Sequence, residues 1–345
     1  MKSEGAVPKV SVLMAVYNAE RYLAAALESI LGQTFTDFEF IVVDDGSNDE
    51  SARILAKYGA ADHRLQIIPN EANSGLAYSL NKGIDFARGA YIARMDADDI
   101  SLPTRLAAQV AFLDAHPDCC LCGGSLMTFS TEGTGVLWQP PLAHDDILSS
   151  MIFESVIYHP TVMMRGETLN RHGLRYAENF RVAQDYELWI RLAEVGKLAN
   201  LPEVLLHYRL HVGSASSHHG QEQIKAANHV RRRLLADLGI EAADDEAKLH
   251  QDLAHWRVED NLATLDNIHL WLSRLRRANE LFRRFPDQAF NQVLSRRWYF
   301  FCEALAHHGL SSYRYWRRSD FATYFRPSFH NRVLFLLRAL FRHRQ

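Results

Sequence analysis

Tyr91-Ile92-Ala93-Arg94-Met95-Asp96-Ala97-Asp98-Asp99 decides how this 345-residue chain is read. Tyr91, Ile92 and Ala93 have the apolar character of a short buried strand, and a cluster of three aspartates follows at once. Carboxylates packed this tightly repel one another and need a counter-charge. A divalent cation supplies it, because hard cations prefer oxygen ligands. A strand that runs into Asp-x-Asp-Asp is therefore read as a metal site on the carboxyl edge of a sheet, where open α/β sheets bind ligands. The competing reading is a polar turn in which Asp99 caps a helix starting near Leu102-Pro103.

Working outward toward the amino terminus, the segments alternate in type. Val10 to Val16 is an apolar, β-branched run of the kind found in buried parallel strands. Ala19 to Leu31 carries apolar residues at helical spacing. Phe38 to Val43 reads as a second strand that stops at Asp44-Asp45-Gly46-Ser47, and Ile54, Leu55 and Tyr58 mark a helix. A third strand over Leu65 to Ile68, a loop at Asn73-Ser74-Gly75 and a helix over Leu76 to Ala87 complete the approach. The alternation predicts a doubly wound, mostly parallel α/β sheet. Parallel strands point the same way, so both acidic clusters fall on one edge, which favours a nucleotide-and-metal pocket.

Toward the carboxyl terminus, Cys119 to Phe129 and Thr161 to Arg165 read as strands and Asp145 to Phe153 as a helix. Val182-Ala183-Gln184-Asp185 leads into an amphipathic helix, with Asp185 near its start, where the helix dipole favours a carboxylate. Two short strands are expected at Leu198 to Leu201 and Val204 to Tyr208. Strand signals vanish after Gly220, so the chain divides into a domain over 1–219 and a helical C-terminal region over 220–345.

A formal net charge of −3 argues against a general nucleic-acid binder. Cys119, Cys120 and Cys122 lack the paired spacing of a zinc site, and they read as small buried strand residues in a reducing compartment. No apolar run reaches the roughly 20 residues needed to span a bilayer, and Met1 to Lys9 is short and polar.

These residues together resemble the family 2 glycosyltransferases, inverting enzymes of the glycosyltransferase-A fold. The resemblance covers about residues 10–216. It rests on Val10-Ser11-Val12-Leu13-Met14-Ala15-Val16-Tyr17-Asn18, Gln33-Thr34-Phe35, Asp44-Asp45-Gly46-Ser47 and Asn73-Ser74-Gly75-Leu76. It continues through Gly89-Ala90-Tyr91-Ile92, the Asp96-Ala97-Asp98-Asp99 cluster and Pro103-x-Arg105-Leu106.

The resemblance implies a UDP-sugar donor, with a hexose or N-acetylhexosamine passing to a hydroxyl of a glycan or lipid-linked acceptor in surface polysaccharide or glycoconjugate synthesis. It implies Tyr17 over the uracil ring, Asp45 accepting the uracil N3–H, and Ala15, Asn73, Gly75, Asp96, Ala97 and Asp99 around the nucleotide-sugar. Asp44 orders its turn. Arg94 pairs either with a phosphate or with the acidic cluster, and Lys82 is read as a solvated charge. The family pattern makes Asp98 a direct ligand of Mn²⁺ or Mg²⁺, which suit all-oxygen ligation. His211, in Tyr208-Arg209-Leu210-His211, is the candidate additional ligand, and His159 faces the donor phosphates or the acceptor.

Inverting transfer is one displacement in which a carboxylate takes the acceptor proton. The resemblance gives that task to Asp185, although Gln184 stands where the family carries a preceding acid. Two other classes compete. A sugar nucleotidyltransferase would carry a Gly-rich, basic phosphate loop after the first strand, where this chain has Tyr17-Asn18-Ala19-Glu20. A non-catalytic scaffold would not need the intact acidic set.

The last segment reads as an amphipathic helix, with Val333, Leu334, Leu336, Leu337, Leu340 and Phe341 on one face and Arg338 and Arg342 opposite. Such a helix lies in a membrane interface or packs on its own protein or a second subunit. Trp298, Tyr299, Tyr313, Tyr315, Trp316 and Tyr324 are read as interfacial aromatics. The expectation is a cytoplasmic protein held on the cytoplasmic face of the inner membrane.

Overall fold

The structure, a computed structural model, describes residues 7–130, 133–211 and 220–341. The chain forms two compact units, 1–147 with 156–227, and 148–155 with 228–345. Residues 220–227 thus belong with the first unit and the short stretch 148–155 with the second, whereas the sequence suggested one cut at 219/220.

The first unit is built on a nine-stranded sheet. Its strands are β1 (Val10–Val16), β2 (Phe38–Asp44), β3 (Leu65–Pro69), β4 (Tyr91–Met95), β5 (Ile100–Ser101), β6 (Cys119–Ser130), β7 (Gly133–Trp138), β8 (Met163–Arg165) and β9 (Lys197–Arg209). The spatial order is β3-β2-β1-β4-β8-β6-β9-β5, with β7 paired to β6. β1 to β4 run parallel, and β8 reverses direction between β4 and β6.

β1 is buried on both faces because helices cover both. Val10, Val12 and Met14 share a core with Leu23, Ala26, Leu27 and Ile30 of α1 (Leu23–Leu31). On the other face, α3 (Leu76–Phe86), which follows α2 (Ser51–Ala61), presses Gly83 onto Leu13. A Cβ at Gly83 would meet Leu13 Cδ1 at 2.1 Å. That two-sided cover is why Val10–Val16 is a continuous apolar run rather than an alternating one. Asp99 caps no helix: α4 (Arg105–Ala115) starts beyond it with Thr104 at its N-cap.

The structure differs from the expected strands in β9 and β7. The two short strands expected near residues 198 and 204 are one strand, β9, which passes Pro202 through register shifts against β6. The β6–β7 hairpin was not foreseen, since Gly133 and Gly135 in β7 disguise it as loop. Cys119, Cys120 and Cys122 are buried and unbridged in β6, and burial pushes the Cys119 thiol up to about 11 and Cys120 to about 12. Three further helices, α5 (His144–Ser150), α6 (Gly166–Arg171) and α7 (Gln184–Ala193), precede the helical unit.

From residue 220 the described residues are helical: α8 (Gly220–Asp237), α9 (Asp244–Ala254), α10 (Thr264–Phe282), α11 (Asp287–Ala304), α12 (Leu310–Arg318) and α13 (Phe329–Phe341). Glu246 Oε2 accepts from Ala243 N at 3.0 Å, closing the start of α9. The core of the second unit contains Phe290, Trp298, Phe301, Phe321 and Phe335. Trp298, Tyr299 and Trp316, read from sequence as interfacial, are buried here because they pack against Phe321 and Phe335. No described helix is long and apolar enough to cross a membrane.

Candidate active site

Strand register gathers the site. Met14 pairs with Met95 and Val16 with Asp44, so the carboxyl ends of β1, β2 and β4 finish side by side. Asp45 N donates to Val16 O at 2.8 Å, which seats Tyr17, Asp45 and the Asp96–Asp99 turn along one edge. Tyr17 is exposed and Asn18 sits in left-handed backbone (φ 49°), so the chain turns out of the sheet at that point.

Asp45 is buried and committed. Its Oδ1 accepts from Asn70 Nδ2 at 2.7 Å and Ser74 N at 2.9 Å, and its Oδ2 from Gly75 N at 2.9 Å. Lys82, read as a solvated charge, instead donates to Asn70 Oδ1 at 2.8 Å and Pro69 O at 2.9 Å. Gly46, at φ +71°, lets the Asp44–Ser47 turn lie against this loop, since a Cβ there would meet Ala72 and Asn73 backbone at 2.8–2.9 Å. Asp44 Oδ1 accepts Ser47 N at 3.1 Å and orders the turn. Asn73 is exposed, Gly75 opens α3 at φ +94°, and Ala15 and Ala97 are half-buried at the strand ends.

The acidic cluster is only partly neutralised. Arg94, buried at 3% exposure, forms a bidentate pair with Asp96, so of its two expected partners it takes the acidic cluster. His211 Nε2 lies 2.8 Å from Asp98 Oδ2. Arg209 N donates to Asp99 Oδ1 at 2.8 Å, and Arg209 Nε to Asp98 O at 2.7 Å. The Arg209 guanidinium lies 4.4 Å from the ring centres of both Tyr22 and Phe129. The end of β9 therefore folds over the aspartate turn. Asp99 Oδ2 is buried with no hydrogen-bond partner. Burial, then the charges of Asp96 and Asp98, push the Asp99 carboxyl well above the usual range. Ligand oxygens of Asp96, Asp98 and Asp99 lie within 4.8 Å of one another. A divalent cation suits this donor set, because it supplies a partner for the orphaned oxygen and relieves the carboxylate repulsion.

Below the cluster, Arg105 is 1% exposed. It donates to Arg94 O at 2.6 Å, Val162 O at 3.3 Å and Gln109 Oε1 at 3.0 Å. Burial and the neighbouring Arg94 charge lower it to about 10. It pins the end of β4 to the segment before β8. Sequence reasoning assigns no role to Arg209 or Arg105. The available signal was an arginine on an otherwise apolar helix face, with Gln109 one turn on.

Asp185 lies in the first turn of α7, half-buried. The residue before the helix, Ala183, is left-handed (φ 57°, ψ 19°), a conformation disfavoured for a residue with a Cβ. Desolvation raises the Asp185 carboxyl, partly opposed by the Tyr186 amide and Arg94. Burial, then the charges of Asp98 and Asp185, raise the Asp96 carboxyl against the pull of Arg94. Gln184 is buried with Oε1 unpaired. His159 accepts from or donates to Tyr176 Oη at 2.8 Å and packs edge-on to Trp189. Burial, then Arg94, holds its imidazole well below the ordinary histidine range.

The Glycosyl transferase family 2 profile matches residues 11–168. An uncharacterised glycosyltransferase of Haemophilus influenzae is 36% identical over 65% of this chain and 72% of its own. The amylovoran biosynthesis glycosyltransferase AmsE of Erwinia amylovora is 33% identical over 66% of this chain and 85% of its own. Among solved structures, residues 1–349 of S. aureus TarS in complex with UDP-GlcNAc match with a TM-score of 0.58 at 19% identity, covering 92% of this chain and 89% of that one.

Proposed function

Because the chain belongs to glycosyl transferase family 2 and has its glycosyltransferase-A fold, we propose that it is a metal-dependent, inverting enzyme. It would transfer a hexose or N-acetylhexosamine from a UDP-sugar to a glycan or lipid-linked hydroxyl in surface polysaccharide synthesis. The observation that carries this reading is the half-neutralised cluster of Asp96, Asp98 and Asp99, with His211 2.8 Å from Asp98. The polysaccharide role is supported by similarity to the amylovoran enzyme, and the UDP-sugar by the likeness to the UDP-GlcNAc complex.

Asp98 and His211 would hold Mn²⁺ or Mg²⁺, which when bound neutralises charge on the departing nucleoside diphosphate. Arg94 holds Asp96 in place, and Arg209 holds the backbone of the aspartate turn. Tyr17 and Asp45 stand at the strand ends where a uracil ring would lie, with Asn73 and Gly75 beside it. Asp185 would accept the acceptor's proton as its oxygen attacks the anomeric carbon. Its raised carboxyl, compared with an exposed aspartate, makes it a stronger base.

The test is UDP release from UDP-Glc, UDP-Gal, UDP-GlcNAc and UDP-GalNAc, with Mn²⁺ and with EDTA. One donor is expected to stand out, with activity lost in EDTA, restored by Mn²⁺ and absent in Asp98→Asn. Full turnover in EDTA would remove the metal from the reading. Nucleotide-sugar formation from UTP with pyrophosphate release would favour the nucleotidyltransferase.

We also propose peripheral attachment to the cytoplasmic face of the inner membrane. α13 packs on its own unit through buried Phe335 and Ala339, and Arg338 pairs with Glu303 of α11. That leaves Phe329, Val333, Leu337, Leu340 and Phe341 exposed along one stripe, a face suited to an interface. Leu337→Glu with Phe341→Glu leaves the buried side intact. Loss of flotation with anionic liposomes is expected, and undiminished flotation would oppose the proposal.

A further inference from the structure

The helical unit carries its own cluster of side chains of metal-ligating type, Asp260, His307 and His308. Asp260 lies in the connection between α9 and α10, and His307 and His308 close the 3₁₀ turn that follows α11. His307 Nε2 is 2.5 Å and His308 Nε2 2.6 Å from the same atom, Asp260 Oδ1. The two imidazole rings lie 4.4 Å apart between centres.

Adjacent residues usually point apart. Here the tight turn makes them converge, through His308 N to Leu305 O at 3.1 Å and Gly309 N to Ala306 O at 2.9 Å, and Gly309 ends it at φ +98°. The two histidine side chains are 15% and 29% exposed and Asp260 is 50% exposed. The cluster is thus anchored on its histidine side and open to solvent on the other.

We propose that Asp260, His307 and His308 form a zinc site, distinct from the Asp98 centre. Two imidazole nitrogens and one carboxylate oxygen are the borderline donors that zinc takes, while magnesium and calcium favour oxygen alone. Zinc bond lengths of about 2.0–2.2 Å place neighbouring tetrahedral ligands roughly 3.4 Å apart. The present separations therefore need to open by less than about 1 Å on zinc entry. Water fills the fourth position. The ion takes the Nε2 lone pair of each neutral imidazole, whose one proton sits on Nδ1, so zinc competes with protonation of the rings and binding weakens as pH falls. It ties the α9–α10 connection to the end of α11 and so stabilises the helical unit.

The experiment measures Zn²⁺ affinity and stoichiometry of the whole chain by competition with a chromophoric chelator, together with the visible absorption of the Co²⁺ form. It is run in an Asp98→Asn background, so failure of the active-site metal reading does not affect the outcome. One equivalent of zinc, a tetrahedral Co²⁺ band and a rise in melting temperature are expected. His307→Gln with His308→Gln keeps amide donors toward Asp260 but removes the nitrogen ligands. A loss of about tenfold or more in affinity is expected, with the melting temperature in EDTA unchanged. Asp260→Asn should weaken zinc similarly. Equal zinc affinity in the parent and both variants overturns the site, as does the absence of any bound equivalent in the parent.

Discussion

The two compact units bury charge in contrasting ways. In the helical unit two buried arginines are anchored by carbonyls, a carboxylate and aromatic rings of the same unit. Arg231 Nε donates to Phe153 O at 2.6 Å. Arg297 donates to Leu253 O at 2.5 Å, pairs with Glu154, and lies 4.1 Å from the ring centres of both Phe153 and Trp256. In the sheet unit, Asp99 Oδ2 is, among the described residues, the one buried carboxylate oxygen with no hydrogen-bond partner. Burying a polar atom without a hydrogen bond costs about 1–3 kcal/mol. A buried carboxylate oxygen left unpaired on the edge where open α/β sheets bind ligands has a divalent cation as its fitting partner. The contrast separates charges that build the protein from charges that await chemistry.

Breaking it on the active side should give the largest effect. Asp185→Asn keeps the shape and removes the proton acceptor. Turnover should fall about 10²-fold or more, with UDP affinity preserved and the melting temperature not lowered. Normal turnover would make Asp185 a helix-start residue alone.

On the structural side, Arg297→Ala leaves Leu253 O and Glu154 without their buried partner. Stability should drop by about 3 kcal/mol, at the low end for a broken buried pair because Glu154 reaches solvent. Urea unfolding measures this, and UDP affinity should not move.

The pH dependence sharpens the contrast further. Desolvation raises Asp185, and the reaction needs its ionised form, so the acidic limb of kcat/KM should lie above the ordinary carboxylate range. The limb should vanish in Asp185→Asn. The stability sign is opposite: the native state disfavours ionised Asp185, so its contribution is lost as pH rises through the interval between its unfolded and folded values. The smallest effect expected is from Ala183→Gly. Relief of left-handed strain should stabilise by up to about 1 kcal/mol, offset by the freer unfolded chain. A loss of stability would mean that Ala183 is not strained.

Legibility from sequence followed the same division. β1 and the strands beside it were readable because burial on two faces writes a continuous apolar run, and turn residues punctuate each end. The acidic turn and Asp185 were readable because their chemistry is local in sequence. Unreadable were contacts that register creates at long range: Arg209 on Asp99, Arg105 beneath β4, and Lys82 holding Asn70. The β6–β7 hairpin was hidden by glycines, and the helical unit's aromatics were misread because composition does not tell an interface from a core. Arg338 was read as lying opposite the apolar face of the last helix, and it pairs there with Glu303, which lies a long way off in the chain.

Asp45 is one carboxylate holding three donors from the 70–75 segment, with Gly46 packed against that same segment. The loop is therefore set before any ligand arrives. Ordering a loop on binding costs roughly 1–2 kcal/mol per residue fixed, and here that entropy was surrendered when the chain folded. Nucleotide capture at this edge should behave calorimetrically like entry into a rigid mould, with a heat-capacity change no larger than the ligand's own buried apolar surface accounts for. Exchange of the Ser74 and Gly75 amides with solvent should be as slow in the free protein as in the bound one.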